Sequence, residues 1–82
     1  MPTVLRFSGL RVAVYPNDHR PAHVHVIGGG CEAVFELNGP GEPPRLRENY
    51  GFTQRQLAMV LAELSNNLIS LCAAWEEIHG TD

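Results

Sequence analysis

At 82 residues the chain is long enough for one domain, residues 1–82, with a single layer of helix against sheet, and too short for two. Its formal charge of −3 argues against a strong sequence-independent hold on nucleic acid, which depends on local rather than net charge. Local charge is uneven: all six basic residues are arginines (Arg6, Arg11, Arg20, Arg45, Arg47, Arg55), and all precede position 56, so the amino-terminal two-thirds is the half to meet a phosphate or a carboxylate. A coding bias toward arginine accounts for the missing lysines equally well.

Residues from Val4 to Leu37 read as short β segments punctuated by turns. Val4 to Phe7 is followed by Ser8-Gly9 and then by Leu10 to Tyr15. His23 to Ile27 leads through Gly28-Gly29-Gly30 into Cys31 to Leu37, where Ala33, Phe35 and Leu37 alternate with charged or smaller residues. The loop Asn38 to Pro44 cannot continue a ladder, because its prolines lack an N–H and its glycines resist ordering. Arg45 to Gly51 has room for a short turn of helix.

Thr53-Gln54-Arg55-Gln56 is a capping-box pattern that starts a helix. Leu57, Val60, Leu64, Leu68, Leu71, Trp75 and Ile78 then recur at three- and four-residue spacing, and Gly80 supplies the stop. The stripe keeps its phase across the poor helix formers Ser65-Asn66-Asn67, which predicts one long carboxy-terminal helix with room for a bend there. The expected fold is therefore α+β: a four-stranded antiparallel β-meander with one long helix packed on one face.

Binary patterning assigns the two sheet faces. Val12, Val14, Val24, Val26, Ala33, Phe35 and Leu37 should lie under the helix, with Leu5 and Phe7 completing the layer. Arg11, Tyr15, His23, His25, Glu32 and Glu36 should occupy the other face. Keeping the valines of the His23 strand level with Ala33 and Phe35 requires an even-length hairpin loop or a bulge, since a loop of three glycines would put His25 opposite Ala33.

Three of the four histidines fall within Asp18-His19-Arg20-Pro21-Ala22-His23-Val24-His25. His23 and His25 are candidate catalytic groups, because an imidazole is the side chain best matched to proton transfer near neutral pH. His19, His23, His25 and Glu32 together form a ligand set that a divalent metal accepts. The bland alternatives are ordinary strand histidines, and a side-chain-stabilised turn at Asp18-His19. The run also resembles the His-apolar-His-apolar-His signature of histidine-triad nucleotide hydrolases, but Ile27 stands at the third place. Gly28-Gly29-Gly30 lacks the lysine and helix of a phosphate loop and reads as a hairpin turn. Arg6, Arg11, Arg20 and Tyr15 form a candidate RNA-contacting set, since guanidinium groups bind phosphate and rings stack on bases; solvated strand ends are the plain alternative.

Cys31 and Cys72 match neither a disulfide framework nor a Cys-x-x-Cys spacing, and are expected to be reduced residues of the core. No apolar run reaches the roughly 18 residues of a membrane span, and no leader pattern opens the chain. A cytoplasmic location without membrane contact is the expectation.

Four blocks occur in fixed order: Met1-Pro2-Thr3-Val4-Leu5-Arg6-Phe7, Pro21-Ala22-His23-Val24-His25-Val26, Glu48-Asn49-Tyr50-Gly51-Phe52-Thr53, and Ala74-Trp75-Glu76-Glu77. Together they resemble the small prokaryotic family catalogued as domain of unknown function 4160. The resemblance implies a component of a two-gene, toxin–antitoxin-type cassette. It implies a cognate partner of the domain-of-unknown-function 2442 type, with RNA as a further partner, and it carries over no catalytic residues. The chain departs from the family in its Gly39 to Pro44 insertion and at Ile78-His79. The expected function is a binding module that meets its protein partner and RNA through the uncovered sheet face, with self-association through Met59, Ile69 and Trp75. The alternative is a histidine- or metal-dependent nuclease or phosphoesterase using the His-x-His strand.

Overall fold

A computed structural model of the chain describes residues 3–80; Met1 and Pro2 of the opening block, and Thr81 and Asp82, lie outside the described residues. The elements run β1 (Thr3–Phe7), β2 (Leu10–Ala13), β3 (His23–Gly28), β4 (Cys31–Glu36), β5 (Arg45–Tyr50), α1 (Gln54–Asn66) and α2 (Leu68–His79). All five strands form one antiparallel sheet in sequential order, β1-β2-β3-β4-β5.

The hairpins are set by turn chemistry. Ser8 and Gly9 both hold positive φ between Phe7 and Leu10, the backbone that matches strand twist in a two-residue loop. The β3–β4 loop is also two residues long, Gly29-Gly30, because Gly28 pairs with Cys31. That even length puts Val26 opposite Ala33 and Val24 opposite Phe35, as the patterning required.

The core follows from this register. Val12, Val14, Val24, Val26, Ala33, Phe35 and Leu37 are buried against Leu57, Val60, Leu64, Leu68, Leu71 and Trp75, with Leu5 and Phe7 packed at its margin. Each such aliphatic or aromatic side chain contributes roughly 1.5–3 kcal/mol on leaving water. Trp75 is a core residue. Met59 and Ile69 are left exposed on the helices. Cys31 and Cys72 are free thiols, partly buried at the edge of the core.

Two expectations are corrected. The sheet has five strands rather than four, because Arg45–Tyr50 is a strand and not a turn of helix. Its arginines, leucine and glutamate suit a helix, but the open edge of β4 offers a ladder that outweighs this weak preference. Every residue of β5 is exposed, so no alternation of buried and solvated positions marks it as a strand.

The helix is two helices, bent by 76° at Asn67, rather than one. Ser65 donates its hydroxyl to the Leu61 carbonyl and Asn67 donates its amide to the Glu63 carbonyl. Side chains thus compete for the backbone acceptors that would continue the ladder. The preserved phase of the apolar stripe reflects burial on both sides of the bend, not continuity of the helix. Among the described residues no single helix is long and apolar enough to cross a membrane.

At the start of α1 the capping box forms as its sequence predicts. Thr53 Oγ1 accepts from the Gln56 N–H and the Gln56 side chain accepts from the Thr53 N–H. Asn49 clamps the preceding turn through the Phe52 N–H and carbonyl, and Gly51 has φ of 101°, which only glycine adopts freely.

Candidate functional site

β3 presents His23 and His25 on the face away from α1, since side chains alternate along a strand and Val24 and Val26 are in the core. That face is not bare. Ala13, which pairs with His25, is buried, and so is Val34 across the ladder.

The segment after β2 brings a carboxylate onto the two histidines. Tyr15-Pro16-Asn17-Asp18 is a turn in which the Asp18 N–H donates to the Tyr15 carbonyl at 3.0 Å. Proline at its second position presets φ, and asparagine suits the third. The Tyr15 N–H in turn donates to Asp18 Oδ2 at 3.3 Å, fixing the carboxylate. The same Oδ2 lies 3.1 Å from His25 Nε2 and 3.3 Å from His23 Nε2.

The other ring nitrogens are held separately. His23 Nδ1 stands 2.8 Å from the Pro21 carbonyl, which can only accept, so this nitrogen carries a proton. His25 Nδ1 lies 3.1 Å from Glu32 Oε2, so that the ring has a carboxylate at each nitrogen. Glu32 pairs with Ile27, two residues beyond His25 on the same face, and so comes within reach along the ladder.

Aromatic packing and α2 close the site from behind. The Tyr15 ring meets His25 edge-on with centroids 4.5 Å apart. Trp75 packs against His23 at 5.3 Å and stacks on His79 at 3.9 Å, while His79 Nε2 donates to the Tyr15 carbonyl at 3.0 Å. The side chains of His23, His25 and Asp18 are only 8 %, 15 % and 18 % exposed, so the cluster sits in a largely desolvated recess.

Of the sequence-predicted ligand set, His23 and His25 are brought together. Exposed His19 stands outside the described cluster of mutually close ligand atoms, and Glu32 holds His25 from behind rather than meeting Asp18 and His23. Asp18 is the ligand-type residue that sequence reasoning passed over as turn chemistry alone. It is both, because a turn ending on an aspartate directly before the His-x-His strand folds that carboxylate back onto the strand.

Among the candidate binding residues, Arg6 and Arg11 are paired across β1 and β2. Their row continues through Ile27 to Glu32, next to the row of Ala13 and His25 on the same face. Tyr15 lies against His25. Arg20 is exposed and lines a cleft of about 340 Å³ with Pro21, Leu37 and Trp75, adjoining His23's supports but walled by none of Asp18, His23 or His25.

A family model described as a domain of unknown function (DUF4160) matches residues 9–76 of the chain. No curated protein and no solved structure matches it.

Proposed function

We propose that this chain, which belongs to the DUF4160 family, is a phosphodiester hydrolase acting on RNA as one component of a two-gene, toxin–antitoxin-type cassette in the cytoplasm. The observation that carries the reading is Asp18 Oδ2 shared between His23 Nε2 and His25 Nε2 in a desolvated recess. Such a cluster is suited to activating water. The attacking water forms a new P–O bond and releases its proton to solvent. The P–O bond to the leaving oxygen breaks, and that oxygen takes a proton from solvent. Arg6 and Arg11, in the neighbouring row of the same face, supply guanidinium groups of the kind that hold a phosphate backbone.

The test is cleavage of a fluorogenic RNA by the purified chain. Wild type should cleave, and a His25→Ala variant with an unchanged circular dichroism spectrum should lose at least a hundredfold in rate. Equal rates in the two would sink the reading.

A second reading concerns partner binding, and the open edge of β5 favours it. All six residues of β5 are exposed, with Leu46 and Tyr50 the large apolar side chains among them. An unpaired edge is a template for strand addition by a cognate protein, here one of the domain-of-unknown-function 2442 type. Co-expression with the product of the neighbouring gene should yield a complex that Leu46→Lys disrupts. A complex indifferent to that change would remove β5 as the interface.

A further inference from the structure

We infer that Asp18, His23 and His25 bind a divalent first-row transition metal of the zinc, cobalt or manganese class through Asp18 Oδ2 and the two Nε2 atoms. The inference rests on the same recess as the function proposed above and deepens it by naming the cofactor.

The Pro21 carbonyl can only accept, so His23 carries a proton on Nδ1 and turns Nε2 inward. His25 lies between two carboxylates, with Glu32 Oε2 at Nδ1 and Asp18 Oδ2 at Nε2, each 3.1 Å away. Asp18 Oδ2, which accepts from the Tyr15 N–H, faces both Nε2 atoms. Three ligand atoms, one from each residue, thus lie within 4.8 Å of one another. A carboxylate oxygen and two ring nitrogens converging in a desolvated recess require positive charge among them, and a metal ion supplies it in place of shared protons.

The distances suit a metal in that role. With bonds of about 2.0–2.2 Å, two ligands of one ion stand about 3.3–3.6 Å apart in a tetrahedron and about 2.8–3.1 Å apart at adjacent octahedral positions. The observed separations from Asp18 Oδ2 are 3.1 and 3.3 Å. The outer contacts match as well. Metal-bound histidines donate their second N–H to a carboxylate or a backbone carbonyl, and here one ring has each: His25 on Glu32 and His23 on Pro21. Two imidazoles and one carboxylate select a transition ion over magnesium, which prefers oxygen alone. Three protein ligands also leave a coordination position for water or a phosphate oxygen, the arrangement of a catalytic rather than a structural centre.

The test titrates the full-length, chelator-treated protein with Co²⁺ and with Zn²⁺, following Co²⁺ visible absorption and calorimetric heat. One ion per chain should bind, with Mg²⁺ at equal concentration not competing. Asp18→Asn and His25→Ala should each weaken binding at least a hundredfold, while His19→Ala leaves it unchanged. Because His23 packs against Trp75, the milder His23→Gln is paired with a melting curve. Zn²⁺ should raise the melting temperature of wild type and not of that variant.

Binding of no ion, or binding that survives both Asp18→Asn and His25→Ala, overturns the inference, and a site taking only Mg²⁺ overturns the assigned metal class. The two proposals fail separately. Stoichiometric metal without RNA cleavage sinks the hydrolase alone, and cleavage by a protein that binds no ion in the titration sinks the metal alone.

Discussion

His79 Nε2 donates a hydrogen bond to the carbonyl of Tyr15 at 3.0 Å, joining residues 64 positions apart. The contact ties the last turn of α2 to the turn that carries Asp18, so the carboxy-terminal helix helps to set the position of that carboxylate. Replacing His79 by alanine should loosen that turn without removing any group from the cluster. The expected result is a three- to tenfold weaker Zn²⁺ affinity by calorimetry, with one-to-one stoichiometry kept. His79→Gln, which keeps a donor, should recover part of the loss. An unchanged affinity in the alanine variant would show that the turn holds itself.

Glu32 acts on His25 from behind. A Glu32→Gln change leaves an acceptor in place but removes the charge that orients the ring, and outer partners of this kind are worth about 10- to 100-fold in metal affinity. The expected loss is in that range, with little change in melting temperature, because the Glu32 side chain is 44 % exposed. A loss as large as that of His25→Ala would instead make Glu32 a direct ligand.

Trp75 fills the junction of core and site, 2 % exposed, and its Nε1 is a buried donor without a partner among the described residues. Trp75→Ala should cost about 3–5 kcal/mol in urea unfolding from the cavity alone. Trp75→Phe keeps a ring against His23 and His79 and removes the unsatisfied N–H, so it should cost far less, under about 1.5 kcal/mol. A phenylalanine variant as unstable as the alanine one would contradict this accounting of the indole.

Tyr50 reports the state of β5. Its hydroxyl donates to Glu48 Oε1 at 3.1 Å, and this hydrogen bond, with the negative charge of Glu48, raises the phenol above its ordinary value of 10.0. The difference in absorbance at 295 nm between wild type and Tyr50→Phe should therefore titrate above pH 10, and Glu48→Gln should bring it back down. A normal midpoint in wild type would mean that the side chains of β5 do not hold this arrangement in solution.

Much of the fold was legible because its signals are local. The Ser8-Gly9 and glycine turns, the alternation along β3 and β4, the capping box at Thr53 and the stripe from Leu57 to Ile78 each follow from neighbours a few residues apart. The even-length β3–β4 loop was legible for a related reason, since only one parity buries the valines. β5 and the bend at Asn67 were not. A fully exposed edge strand has no buried face to print a period of two on its residues. At Asn67 the apolar pattern ran on unbroken while side-chain hydrogen bonds, invisible to a hydropathy pattern, diverted the backbone.

The candidate site divides along the same line. By itself the sequence determined that His23 and His25 share a face, that this face is opposite the helical core, and that arginines and Tyr15 accompany them, because alternation along an extended chain is a property of the backbone. Only the tertiary structure decided that Asp18 joins them while His19 does not, and that Glu32 and the Pro21 carbonyl meet the Nδ1 sides of the two rings. It also showed Trp75 and His79 reaching round to support the recess. Those relationships depend on where a turn folds back and where a helix bends, and such directions in space are set by packing between distant segments rather than by the spacing of residues along the chain.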